Sequence, residues 1–321
     1  MANYFFKASK DIEQQIVELY NFLWPTASAL WNFRWQVRGY LTVRPDANTD
    51  ELSGRFVHGS GLPNVDYKAS CVNQDWNEQL EMFARFLIVN LFALHESWTT
   101  QVLTTLGYGA AGIKQYEKQL QFPTKADASG RVSGIWNAIN NICSSESAVL
   151  KNTFYSSFIS SRKYSANKLD NLMRCYRYFK ECRNCIMHNG GVADQKLLDA
   201  YNDFAIVASV TDLGVEEVPL HSSVTAVGEK VKLHLRGIVG LGDVIIRIVT
   251  TCDSELLKSQ LAEQDFLNRW KAKHQTTRTL KTKYVHQRNA QLKRLINQVY
   301  HISPNNIVEM EGFLKRKALV N

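Results

Sequence analysis

One run in the middle of the chain gathers residue types that do chemistry: Arg183-Asn184-Cys185-Ile186-Met187-His188-Asn189-Gly190-Gly191. A guanidinium offers a planar fork of donors to a carboxylate or phosphate, and an imidazole exchanges protons near neutral pH. The spacing predicts a helix over 167–187 whose apolar stripe is Leu169, Leu172, Met173, Tyr176, Phe179, Ile186 and Met187. At about 100° per residue Arg183 falls within that stripe, where a charge is costly unless it is paired or lines a cleft or an interface. Asn and Gly at 189–191 tolerate the left-handed conformation that ends helices, which leaves His188 exposed at the stop. Two readings follow. In the structural one, Arg183 pairs with a carboxylate and His188 completes the helix C-terminus, where the helix dipole favours imidazoles. In the chemical one, Arg183, Asn184 and His188 form a site.

Two other patterns compete. Cys182, Cys185 and His188 make a C-x-x-C-x-x-H array, but a structural zinc site needs four ligands and no second pair of suitable spacing follows. Redox C-x-x-C pairs use the dipole at a helix N-terminus, and this pair lies at the C-terminal end. Gly107-Tyr108-Gly109-Ala110-Ala111-Gly112 matches G-x-G-x-x-G, yet it follows a predicted helix rather than a strand, so it reads as a loop. P-loop, G-x-S-x-G and H-E-x-x-H motifs do not occur. No metal site and no cofactor are expected.

The 183–191 run resembles the RNA-cleaving motif of the HEPN superfamily, in which Arg, a polar residue and a His lie near a helix end. The resemblance spans about 75–262 and is specific at 183–191. It implies a helical bundle and a metal-independent endoribonuclease whose two motif copies meet across a homodimer axis. RNA carries its own nucleophile, the 2′-OH. By resemblance, His188 takes that proton or protonates the leaving 5′ oxygen, Arg183 holds the scissile phosphate, and Asn184 orients phosphate or imidazole. The ends would be a 2′,3′-cyclic phosphate and a 5′-hydroxyl. Relatives often act as toxins or antiviral-defence effectors on tRNA, mRNA or rRNA, with an antitoxin or defence-complex partner. The alternative is a non-catalytic HEPN-type RNA-binding or scaffold module, and a further one is a zinc-stabilised helical protein. Glu96 is a candidate partner for Arg183.

The elements that must position this run are mainly helical. Residues 11–38 read as helix with a break or new start at Pro25, and 39–74, punctuated by Gly39, Pro45, Gly54, Gly59, Gly61 and Pro63, as an excursion with short strands. From Trp76 to Leu106 a helix apolar all round belongs at the centre of a bundle. Residues 107–128 read as loop, 131–160 as interrupted helix, 195–208 and 244–261 as helices, and Val215–Ile238 as Val-rich segments with a hairpin turn at 227–230. Ser303-Pro304 is expected to open a last short helix. The expected architecture is a mainly α, HEPN-like bundle over 1–262, an insert at 39–74, a small β-hairpin excursion, and a basic helical extension over 263–321.

Charge sharpens that division. The chain of 321 residues carries a formal +8, with 45% hydrophobic and 21% charged residues, which excludes a disordered chain. Residues 1–262 hold 26 Lys/Arg and 26 Asp/Glu, and 263–321 hold 12 and 4. Arg269, Lys271, Lys273, Arg278, Lys281 and Lys283, followed by Arg288, Lys293 and Arg294 and interleaved with Trp270, Tyr284 and Tyr300, suit a phosphate backbone and stacked bases. The rival reading is a solvated helical pair packed on the body. No segment reads as a signal peptide or a membrane span, and six cysteines without a regular framework suggest reduced thiols. A soluble cytoplasmic protein is the expectation.

Overall fold

A computed structural model describes residues 3–61, 65–280, 284–300 and 302–321. Its helices in chain order are α1 (Lys7–Val43), α2 (Thr49–Phe56), α3 (Trp76–Thr105), α4 (Ala110–Gln119), α5 (Ile135–Ile142), α6 (Ala148–Leu150), α7 (Ser156–Ile159), α8 (Leu169–His188), α9 (Gln195–Ala205), α10 (Val210–Leu213), α11 (Leu235–Leu256), α12 (Gln260–His274), α13 (Val285–Tyr300) and α14 (Ile307–Arg316). The sheet seen among the described residues has two strands, β1 (Lys125–Ala126) and β2 (Val132–Ser133), paired antiparallel. The protein is mainly α-helical.

Helix α8 forms the centre, with α3, α9 and α11 packed on it. Leu172, Met173, Cys175, Tyr176, Tyr178, Phe179 and Cys182 are all buried, so most of its circumference lies inside. Asp75 starts α3 with a capping box: its Oδ1 accepts from Asn77 N at 2.8 Å, and Glu78 Oε2 accepts from Asp75 N at 3.4 Å. Helix α11 begins nine residues before the expected 244, despite its glycines, because those glycines are contact points. A Cβ at Gly237 would lie 1.8 Å from the Leu220 carbonyl oxygen, and one at Gly242 would lie 1.8 Å from the Tyr20 hydroxyl. Helices α8 and α11 run antiparallel. Ser165 N, just before α8, donates to Thr251 Oγ1 late in α11, while Tyr178 Oη donates to the Ser222 carbonyl near the start of α11.

Several expectations are corrected. Helix α1 continues through Pro25, because Asn21 and Pro25 lie on its solvent side, where water can satisfy the freed carbonyl. The insert at 39–74 contains helical segments and no strand among its described residues. The end of α1, α2 and a π-helical turn at Ala69–Asn73 close over a separate small core of Val37, Ala47, Leu52, Tyr67 and Cys71. Pro63 lies outside the described residues. The segment expected as loop at 107–128 contains α4. The turn at 227–230 forms no hairpin of its own: Lys230 bridges to Val192 instead, and the hairpin is the one at 125–133. The last helix starts at Ile307, capped by the Asn306 side chain on Glu309 N rather than by Ser303.

The 263–321 segment shares the main core, contributing Phe266, Trp270, Leu292, Ile296, Met310 and Leu314. It attaches at the α11 C-terminal end. Asp253 receives Phe5 N at 2.7 Å and Phe6 N at 3.0 Å, which caps α1, and Arg269 donates to the Phe5 carbonyl at 3.2 Å. Among the described residues no helix is long and apolar enough to cross a membrane.

Candidate RNA-cleaving site at the end of α8

Helix α8 carries Arg183, Asn184 and His188 out of the bundle at its C-terminal end. The helix continues through His188, and Gly190 and Gly191 then take positive φ of 62° and 77°. Both Asn189 N and Gly191 N return to the Cys185 carbonyl at 2.9 Å. A side chain at 190 or 191 would be strained there, so the glycines make the stop.

The burial of this end differs from the sequence expectation. Arg183 does not lie in the middle of a buried stripe. Cys182 and Cys185 point into the core, while Arg183, Asn184 and Ile186 are half-buried and Met187 and His188 are exposed. At about 100° per residue Arg183 and His188 stand about 140° apart. Met187 and Asn184 lie between them, so the three candidate residues share one outward arc with Met187, which is 52% exposed.

A chain of hydrogen bonds holds this arc from behind. Arg177 pairs with Glu181, whose Oε2 accepts from Asn184 Nδ2 at 3.0 Å, and Asn184 Oδ1 accepts from Arg183 Nη1 at 3.1 Å. Glu181 is buried, and its two donors offset the cost of that. Arg183 Nε is buried and has no hydrogen-bond partner among the described residues. The His188 side chain makes no hydrogen bond among the described residues. Glu96 pairs with Lys180 Nζ at 3.0 Å rather than with Arg183. Burial pulls the Lys180 ammonium below the usual lysine range, partly offset by Glu96. His95, beside Glu96, is a core residue whose Nδ1 lies 3.1 Å from the Tyr176 hydroxyl, and burial pushes its imidazole down to about 3. It is neutral at physiological pH and is not part of the site.

The cysteine array does not converge. Burial pushes the Cys182 thiol up to about 12 and raises that of Cys185, and both are buried whereas His188 is exposed. Among the described residues no three His, Cys, Asp or Glu side chains are grouped to hold a metal ion.

The basic extension lies elsewhere. Arg269 is an internal residue: it pairs with Asp265 and lies over the rings of Phe5 and Tyr300. Trp270 and Tyr300, expected to stack bases, are buried in the core, whereas Tyr284 is exposed. Arg288 pairs with Glu311 at 3.2 Å. Lys271, Lys273 and Arg278 are exposed, as are Lys293 and Arg294; Lys281 and Lys283 lie outside the described residues. The extension joins at the level of Asp253 and Ser165, and α8, with its 20 residues, carries His188 about 30 Å from that level.

Sequence reasoning missed two groups. Glu181 and Arg177 are the residues that orient Asn184, and their i, i+4 spacing on α8 was the available signal. The other is the segment 229–234, whose alternation places Lys230, Lys232 and His234 outward and Val231 and Leu233 inward. It hydrogen-bonds to the turn after His188, with Val231 N donating to the Gly191 carbonyl and Ala193 N to the Glu229 carbonyl.

No family model, curated protein or solved structure matches this chain. The HEPN resemblance therefore rests on the residues at 183–191 and on the helix that carries them.

Proposed function

We propose that the protein is a metal-independent RNA endonuclease with Arg183, Asn184 and His188 as its site. The observation that carries this reading is the outward arc at the end of a central helix. It bears an exposed imidazole and a half-buried guanidinium that is tethered through Asn184 and Glu181.

In the reaction the 2′-oxygen bonds to phosphorus and the bond from phosphorus to the 5′ oxygen breaks. His188 takes the proton from the 2′-OH or delivers one to the departing 5′ oxygen. Arg183 binds the non-bridging oxygens as charge develops on them, and Asn184 fixes the guanidinium plane. The ends are a 2′,3′-cyclic phosphate and a 5′-hydroxyl. A second copy of the chain packed about a two-fold axis over Met187 would bring two arcs into one cleft and supply a second His188, so that one acts as base and the other as acid. A cytoplasmic toxin or antiviral-defence role against tRNA, mRNA or rRNA, with an antitoxin or defence-complex partner, belongs to the same reading.

Incubating the purified protein with total tRNA in EDTA tests it. Cleavage is expected, and His188→Ala should slow it by about 10²–10⁴-fold while leaving the thermal midpoint close to that of the parent. Equal cleavage by the two proteins overturns the reading. If the parent cleaves nothing, growth restriction on expression that His188→Ala relieves would still support it, and equal restriction by both would not.

A further inference from the structure

The segment 229–234 runs in extended form beside the turn that follows His188. Lys230 is paired antiparallel with Val192, and Val231 N donates to the Gly191 carbonyl at 2.9 Å. Lys232 follows Val231 directly, and the Gly191 that receives Val231 N lies three residues after His188. Successive side chains of an extended strand alternate in direction, so Lys230 and Lys232 share one face about 6.6–6.8 Å apart along the chain. Both are exposed, and neither has an ion-pair partner among the described residues.

The acidic groups nearby are engaged elsewhere. Glu229 accepts from Thr225 N at 3.1 Å and from its hydroxyl, Asp194 caps α9 on Leu197 N at 2.9 Å and accepts from Asn189, and Glu217 pairs with Arg236 at 2.8 Å. Between these lysines and α8 lies a cavity of about 380 Å³, whose walls include Tyr178, Ser222, Ser223, Lys230 and Lys232.

The geometry points to Lys230 and Lys232 as a phosphate-binding track for the RNA strand beside the turn that follows His188. The two ammonium groups recur at a spacing comparable to that of consecutive phosphates along an extended single strand. The adjoining cavity accepts one nucleoside, with the Ser222 and Ser223 hydroxyls beside it. This track rests on the nuclease reading for the identity of the strand, but not for its binding.

The test uses His188→Ala protein, which does not consume the probe, and a fluorescein-labelled single-stranded oligoribonucleotide followed by anisotropy over a salt series. Lys230→Ala/Lys232→Ala in that background should weaken binding on the order of 10-fold and flatten the log K against log salt slope by about 1.4, the value for two lost phosphate contacts. Lys10→Ala/Lys114→Ala, which removes the same charge from distant exposed sites, should change neither. An unchanged slope in the 230/232 variant, equal losses in both double variants, or no RNA binding at all overturns the proposal. If binding behaves as expected but the parent cleaves no RNA, the track stands and the nuclease reading falls.

Discussion

Two basic regions of this molecule differ in what their charges touch. Residues 263–321 hold the whole formal excess, 12 Lys/Arg against 4 Asp/Glu, and four of those basic side chains are tied into the fold by the segment's own acids. Arg269 bonds to Asp265 and the Phe5 carbonyl, Arg288 and Lys315 to Glu311, and Lys317 to Glu263. The segment 229–234 belongs to a body with no net charge, but its two lysines have no ion-pair partner among the described residues, and Lys230 bridges to Val192 just after the turn that follows His188. A formal count registers the first region and passes over the second. Unpaired charge at the place where the chemistry is proposed is the better guide to an anion site.

Breaking the first region should unfold the protein. Removing residues 263–321 strips Phe266, Trp270, Leu292, Ile296, Met310 and Leu314 from the main core. A chain ending at 262 is expected to lose its cooperative thermal transition, read by circular dichroism; a retained transition would make the extension an independent unit.

Arg183 and Arg269 separate the two roles. Arg183→Ala is expected to lower RNA cleavage by at least about 100-fold, as for loss of a transition-state donor, with little change in thermal midpoint. Arg269→Ala leaves Asp265 unpaired in a site where the side chains are 25% and 11% exposed. It should cost about 3 kcal/mol of stability, measured by urea unfolding, while the specific activity of folded protein stays near the parent's. The opposite pattern would reverse the assignment of the two regions.

The anchor between the extension and the N-terminus should also show in pH dependence. Burial holds the Asp253 carboxyl up at about 7, from 3.8 in the unfolded chain. Between about pH 4 and 7 the folded chain therefore binds a proton that the unfolded chain has released, so this group's contribution to stability falls as pH rises through that window and levels above it. In Asp253→Asn that component is absent, and the difference in thermal midpoint between parent and variant should change steadily across the window. A constant difference would contradict the burial of an ionisable group at the α1 N-terminus.

The smallest effect sharpens the contrast directly. Lys271→Ala/Lys273→Ala should lower RNA cleavage by less than about twofold, because exposed charges more than a Debye length away are largely screened. Lys230→Ala/Lys232→Ala should lower it several-fold more.

Much of the fold was legible because its central helices carry strong patterns. Residues 76–106 and 167–187 correspond closely to α3 and α8. The start of α11 was hidden because Gly237 and Gly242 resemble breakers in sequence, and only the fold reveals Leu220 and Tyr20 against them. The insert was misread since Gly and Pro density resembles a strand-and-turn region, while its small separate core depends on contacts between Val37, Leu52 and Tyr67 that are distant in sequence. The site was half legible. Residue types and the glycine stop located Arg183 and His188 at a helix end. Periodicity failed for Arg183, because a helix enclosed nearly all round has no single buried direction and its last buried residues are Cys182 and Cys185. Lys230 and Lys232 were not legible, since two lysines in a Val-rich stretch acquire meaning only through the pairing of 191–193 with 228–231.

The central claim is that the arc at the end of α8 cleaves RNA through the substrate's own 2′-OH. The most direct measurement maps a cleavage site in RNA, replaces the nucleotide 5′ of it with its 2′-deoxy form, and analyses the ends formed in EDTA. The account predicts a 2′,3′-cyclic phosphate and a 5′-hydroxyl from the all-ribose strand and no cut at the substituted position. Cleavage of the 2′-deoxy strand, or products bearing a 5′-phosphate, would contradict it.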